Sequence, residues 1–117
     1  MKKKLILLLS AVLVVGLVYY AVTGVPKTKE FTIRVVGTEG MKAQGVITVS
    51  RENKEKEEMI DITIPWEKKV EADTVSAGFQ KKAENGLLKV QLLDEKGEVV
   101  RESETSVKFG IAHVVYD

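Results

Sequence analysis

From Glu30 onwards, apolar and polar residues alternate with a period of two, which is typical of β-strands that bury one face. The clearest run is Ile60–Ile64, in which isoleucines alternate with Asp61 and Thr63. Similar runs recur along the rest of the chain, and no convincing helical period follows residue 26. The apolar residues of the other runs that we expect to face a core are Phe31, Ile33, Val35, Val75, Ala77, Phe79, Leu88, Val90, Leu92, Val107, Phe109 and Ile111.

Turn-forming residues separate these runs at short intervals. Asp94–Gly97 predicts a hairpin with a left-handed glycine, and Asn85–Gly86 suits a type I′ turn because both central residues of that turn need positive φ. Glu52–Lys54 opens another loop. About seven short strands of this kind predict an all-β fold, a single antiparallel β-sandwich of immunoglobulin-like size. The chain has no cysteine, so the Cys…Trp…Cys core of true immunoglobulin domains is missing.

A long uncharged segment, Leu5–Val25, precedes the strands and follows three consecutive lysines, Lys2–Lys4. Its length is the roughly 20 residues that a membrane-spanning helix needs. Lysines before such a segment stay on the cytoplasmic side of the membrane. The predicted organisation is therefore a leader at 1–25, a linker at 26–30 and an extracytoplasmic β-sandwich domain at 31–117.

Two interpretations of this leader remain open, an uncleaved membrane anchor and a cleaved signal peptide. Tyr19 and Tyr20 lie near its outer end, where aromatic residues favour the membrane interface, and this favours the anchor. Ala21–Thr23 is a poor match to the small-residue cleavage sites of signal peptides. We expect a single-pass membrane protein with a cytoplasmic N-terminus, and a secreted domain if the leader is cleaved.

The charge balance of the predicted linker and domain together, residues 26–117, argues against nucleic-acid binding. The chain has 18 Lys+Arg and 17 Asp+Glu, and three of the lysines belong to the leader, which leaves 15 basic against 17 acidic residues. Proteins that bind nucleic acids need a basic field, and this domain has none. Its charges alternate in sign, as in Lys54–Glu58, which is typical of a solvated surface.

Few residues could carry out chemistry. His113 is the only histidine, and alternation after Ile111 predicts that it faces inward in a structural role. Ser106, the nearest serine in sequence, would lie roughly 23 Å away along an extended strand, too far for a catalytic pair. One histidine without cysteine does not make a zinc site, and no acidic cluster has calcium-loop spacing. The sequence therefore predicts no enzyme, no metal and no cofactor.

Pro65 and Trp66 form the one conspicuous cluster. Proline cannot donate to a β-ladder, so it marks the end or the edge of a strand. The neighbouring tryptophan has two possible roles, to cover one end of the core or to lie exposed at its rim and contact a partner or lipid. Pro65 and Trp66 are thus the candidate partner-binding residues.

Four segments together resemble the MmpS family of small mycobacterial membrane proteins. Members have a short N-terminal anchor, a small β domain and a Leu-Pro-Trp element, which Ile62–Trp66 matches. The strand Phe31–Thr38, the segment Val75–Gln80 and the glycine turn, hairpin and strand of Gly86–Val100 also fit the family. Mycobacterial members carry cysteines in their C-terminal half and this chain has none, which indicates a distant member.

The resemblance implies an accessory role beside large MmpL transporters of the resistance-nodulation-division type, and it implies no catalytic residues. We therefore expect a non-enzymatic, membrane-anchored extracytoplasmic protein that assists such an exporter or an envelope complex through protein–protein contacts. Its expected partners are the membrane and a large multi-spanning transporter. The alternative is a secreted or tethered β-sandwich module that binds a small apolar or glycan ligand in a pocket or on an aromatic platform.

Overall fold

The computed structural model describes residues 29–117, which form eight antiparallel strands in two sheets. The all-β prediction is confirmed for these residues, with eight strands where the sequence predicted about seven. The strands are β1 (Lys29–Gly37), β2 (Lys42–Arg51), β3 (Lys54–Thr63), β4 (Trp66–Ala72), β5 (Thr74–Lys81), β6 (Leu88–Leu93), β7 (Val99–Thr105) and β8 (Ile111–Tyr116).

Each sheet has four strands, in the orders β4-β1-β6-β7 and β3-β2-β5-β8. The inward side chains of both sheets form one hydrophobic core, because alternate residues of each strand point to the same side. Phe31 and Ile33 of β1 and Phe79 of β5 are almost completely buried in it. β1 and β6 are the inner strands of one sheet, and β2 and β5 are those of the other.

The two ends of the sandwich differ in what they carry. The near end is where the chain enters β1, and there Lys29 lies opposite Ala72 and donates to the Tyr116 hydroxyl. The far end is where β1 and β3 finish and where β4 and β8 begin. It contains the connection through Pro65 and the loop between β7 and β8.

The chain before the domain lies outside the described residues, and this includes the predicted leader Leu5–Val25. β1 begins at Lys29, inside the segment 26–30 that the sequence assigns to a linker. Within residues 29–117, no helix has the length and apolar character that crossing a membrane requires.

The hairpin predicted at Asp94–Gly97 is confirmed between β6 and β7. Gly97 has a φ of 82°, as a left-handed turn residue should. The Asp94 carboxylate accepts hydrogen bonds from the backbone N–H of Lys96 at 2.9 Å and of Glu98 at 3.0 Å. The short Asp94 side chain thus stabilises the turn by accepting hydrogen bonds from the backbone of the turn.

The type I′ turn predicted at Asn85–Gly86 is wrong. Only Gly86 of that pair has positive φ, and the loop joins β5 to β6, which belong to different sheets. The two-residue turn with both central residues at positive φ is Glu52–Asn53, between β2 and β3. Its φ angles are 53° and 63°, which matches the twist of the flanking strands.

The inward positions predicted before and at the start of the last strand are also wrong. Val107 is 68% exposed, Phe109 46% and Ile111 64%. Phe109 has a φ of 51°, and this left-handed residue interrupts the extended backbone before β8 begins. The alternation resumes with the opposite phase, so that Ala112 and Val114 are the buried residues of β8.

Candidate functional site at the far end

The candidate residues Pro65 and Trp66 lie at the far end, where β3 passes into β4. The Ile64–Pro65 peptide bond is cis. The Ile64 N–H donates to the Met41 carbonyl and its own carbonyl accepts from the Gly40 N–H, both at 2.9 Å. Ile64 is buried while Pro65 is exposed. The two hydrogen bonds thus fix the backbone at Ile64, and the ring of the next residue, Pro65, lies exposed to solvent.

Trp66 is half-buried, between the covered and the exposed position that the sequence left open. It lies opposite Val35 in the β1–β4 ladder, and its ring packs against that of Phe79 with centroids 5.6 Å apart and planes tilted by 56°. This tilted packing is the geometry that aromatic pairs prefer. Trp66 therefore covers the far end of the core and leaves part of its ring exposed. Partner binding by Pro65 and Trp66 stays a prediction.

An open depression surrounds the exposed part of Trp66. It has a volume of about 420 Å³ and is lined by Arg34, Val36, Pro65, Trp66 and Glu67. The Arg34 guanidinium and the Glu67 carboxylate pair at 3.2 Å along one side of it. The depression thus offers an aromatic edge beside groups that can donate and accept hydrogen bonds.

The far-end loop, Ser106–Gly110 between β7 and β8, carries exposed apolar side chains that sequence reasoning assigned to the core. Val107 and Phe109 point into solvent at the end of the sandwich that also presents Pro65. The signal that could have found this loop is Gly110, because a glycine within an apparent strand often marks an irregularity.

A buried lysine holds the far-end loop. Lys81 is only 1% exposed, and its ammonium donates to the carbonyls of Ser106 at 3.3 Å and Val107 at 3.0 Å. The Lys81 backbone N–H donates to the Gly110 carbonyl at 2.9 Å. Because a buried ammonium needs partners, the loop adopts the conformation that supplies these carbonyls. The apolar residues are therefore presented on a fixed backbone.

His113 points outward, contrary to the sequence prediction, because the phase of β8 is reversed. Its Nε2 lies 2.8 Å from the hydroxyl oxygen of Ser76 on the adjacent strand, and its backbone N–H donates to the Ser103 hydroxyl. The serine nearest to His113 in sequence is Ser106, but the serine that contacts its ring is Ser76. A triad also needs a carboxylate to orient the imidazole, and among residues 29–117 none hydrogen-bonds to this ring.

No metal-binding cluster was found in residues 29–117, where three or more His, Asp or Glu side chains nowhere converge.

The shortest ion pair within residues 29–117 joins β3 to β4. Glu58 accepts a hydrogen bond from the Lys68 ammonium at 2.8 Å, and this bond together with the charge of Lys68 lowers the pKa of the Glu58 carboxyl. This pair links the open edges of the two sheets.

Comparison of the chain with protein-family models and with curated proteins gave no match.

Proposed function

We propose that the chain is a membrane-anchored extracytoplasmic accessory protein of the MmpS type, which assists an exporter of the resistance-nodulation-division type or another envelope complex through protein–protein contacts. The observation that most supports this proposal is the position of the exposed apolar residues relative to the leader. The uncharged segment Leu5–Val25 precedes β1 at the near end, whereas exposed Pro65, Val107 and Phe109 lie at the far end. The contact surface therefore points away from the attached membrane.

The far-end residues suit contact with a protein more than contact with the anchoring lipid. β1 has nine residues, which places the two ends about 30 Å apart at 3.3 Å per residue. A surface at that height reaches the extracytoplasmic parts of a large neighbouring transporter. Because both proteins are confined to one membrane, their effective concentration is high and a small apolar surface suffices for binding.

The test is purification of the full-length chain from its native membranes in mild detergent, with two matched variants. Val107→Ser alters the far end, and Val99→Ser alters an exposed valine at the near end. We expect a large multi-spanning transporter to co-purify with the wild type and with Val99→Ser, and to be lost with Val107→Ser. Equal retention by both variants, or no transporter with the wild type, would contradict the proposal.

The depression around Trp66 favours the second function, a tethered or secreted module that binds a small apolar or glycan ligand. An exposed aromatic ring beside the Arg34–Glu67 pair combines a stacking surface with hydrogen-bonding groups. Because the chain has a single tryptophan, Trp66 emission reports directly on this depression. Titration with a panel of monosaccharides and short fatty acids would support this function if emission saturates, and unchanged emission would exclude those ligands.

A further inference from the structure

β3 is a long and exposed edge strand. It has ten residues, lies at the end of its sheet and pairs only with β2. Most of its side chains are exposed, from Lys54 at its start to Asp61 near its end. An edge strand presents a row of unpaired backbone N–H and C=O groups, which can pair with a strand from another chain.

The register of the β2–β3 hairpin identifies these unpaired groups. Opposite residues in antiparallel strands alternate between pairs that exchange hydrogen bonds and pairs that do not. The residues that flank the two-residue turn form a bonded pair, so the next pair, Ser50 and Glu55, does not. The Ser50 carbonyl agrees with this, since it accepts from the Asp73 N–H at 2.8 Å. The residues whose backbone groups face away from β2 are therefore Glu55, Glu57, Met59 and Asp61, which we call the β3 edge.

The other three strand edges of the sandwich are shorter or already engaged. β4 and β7 have seven residues each, and a register shift interrupts the pairing of β7 with β6. β8 has six residues, and side chains of β7 bind its backbone: the His113 N–H donates to the Ser103 hydroxyl, and the Val115 carbonyl accepts from Arg101 Nε. Short strands and irregular pairing are features that prevent strand addition. Within residues 29–117, β3 is thus the edge best suited to accept a strand.

The side chains of the β3 edge select a partner by charge. Glu55, Glu57 and Asp61 are exposed, and Met59 lies among them. None of the three carboxylates forms an ion pair within residues 29–117. Opposite charges directly across a strand pair are stabilising, and like charges are destabilising. The edge therefore favours a strand that places basic residues opposite these carboxylates.

The same charges disfavour a second copy of this chain as the added strand. Antiparallel pairing of two β3 strands about a twofold axis at Met59 sets Glu57 against Asp61. An axis at Glu58 sets Glu55 against Asp61 instead. Both arrangements place like charges directly opposite each other. The acidic residues thus act against self-pairing, and they attract a strand of different sequence.

We propose that the β3 edge binds an extended, basic segment of a partner protein, which adds to the sheet as a fifth strand next to β3. In this mode of recognition, main-chain hydrogen bonds provide affinity and alternate side chains provide specificity. The segment carries lysine or arginine opposite Glu55, Glu57 and Asp61, and an apolar residue opposite Met59. The inference goes beyond the far-end contact of the proposed function and does not depend on the leader.

Binding of a synthetic peptide to the full-length chain in detergent tests the proposal. The probe is Lys-Val-Val-Thr-Lys-Thr-Lys with blocked ends. In antiparallel pairing its lysines lie opposite Asp61, Glu57 and Glu55, and its second valine lies opposite Met59. The N–H groups of its odd-numbered residues then face β3, whereas those of its even-numbered residues face away. N-methylation of the third and fifth residues removes two facing donors, and N-methylation of the fourth and sixth is the matched control.

We expect saturable binding by fluorescence anisotropy, together with slower amide hydrogen exchange at the β3 edge. Methylation of the third and fifth residues should weaken binding at least about fivefold, because two hydrogen bonds are lost, and the control peptide should bind like the probe. Glu57→Lys should weaken binding about 2- to 30-fold, since it replaces an attraction by a repulsion. Its control Glu95→Lys reverses an exposed carboxylate in the β6–β7 hairpin and should leave binding unchanged.

Three results would overturn the proposal. They are no saturable binding up to about 1 mM peptide, equal weakening by both methylation patterns, and slower exchange only outside the β3 edge. Equal weakening would show that charge attraction without strand pairing holds the peptide. No transporter is present in this experiment, so its outcome is independent of the test of transporter binding.

Discussion

Gly45 lies on the inward side of β2, directly opposite Phe79 of β5, and the structure leaves no room for a side chain there. A Cβ at residue 45 would overlap the Phe79 ring, with the ring Cζ 2.8 Å away. Phe79 is fully buried and packs against Trp66, so Gly45→Ala must displace both rings. Overpacking costs about 1–3 kcal/mol and a disturbed aromatic pair about 0.5–1.5 kcal/mol, giving a loss of about 2–4 kcal/mol.

The assay is thermal unfolding of the full-length chain in detergent, followed by the emission of its single tryptophan. A loss of 2–4 kcal/mol lowers the Tm of a domain this size by about 8–32 °C. The native emission of Gly45→Ala should also shift to longer wavelength, because displaced Trp66 gains contact with water. The control is Gly78→Ala, whose Cβ meets only the movable ring of His113 at the surface. We expect that variant to stay within about 1 kcal/mol of wild type. The reasoning is refuted if both alanine variants have the same Tm.

Three further predictions concern single polar side chains. Lys81→Ala should cost about 2–4 kcal/mol through lost packing and two lost hydrogen bonds, and should speed amide exchange in the far-end loop, whereas Lys81→Met should cost less. Asp94→Ala should lower stability by about 1 kcal/mol in urea unfolding, because two backbone N–H groups lose their acceptor. Lys68 lowers the pKa of Glu58 below 4.5, so this pair stabilises the fold above that pH and is lost as the pH falls. Glu58→Gln should therefore be less stable than wild type at pH 7 and equally stable near pH 2.

The sequence predicted the parts of the fold that local chemistry determines. Period-two alternation identified most strands, and Asp94–Gly97 specified its hairpin because aspartate and glycine each have a conformational reason to be there. Strand β4 was missed, since its inward positions include Lys68. That lysine is tolerated only because β4 is an edge strand, from which the side chain reaches Glu58 on the other sheet. Edge position depends on topology, which alternation does not encode.

The candidate site was predictable only in part. Pro65 and Trp66 stood out by residue type, and the structure places them together at one end of the sandwich. The far-end loop was misread because Val107, Phe109 and Ile111 keep the spacing of a strand although Phe109 is left-handed. The buried Lys81 that holds this loop contradicts the usual preference of lysine for the surface.

The most direct test of the proposed role is photo-cross-linking at the two ends of β3 in the native membrane. A photoreactive residue at position 65 lies at the far end, and one at position 53 lies in the hairpin at the near end; Pro65 and Asn53 are both exposed. We predict covalent capture of a large multi-spanning transporter from position 65 and not from position 53. Capture from position 53 alone, or equal capture from both positions, would contradict a function that depends on the far end.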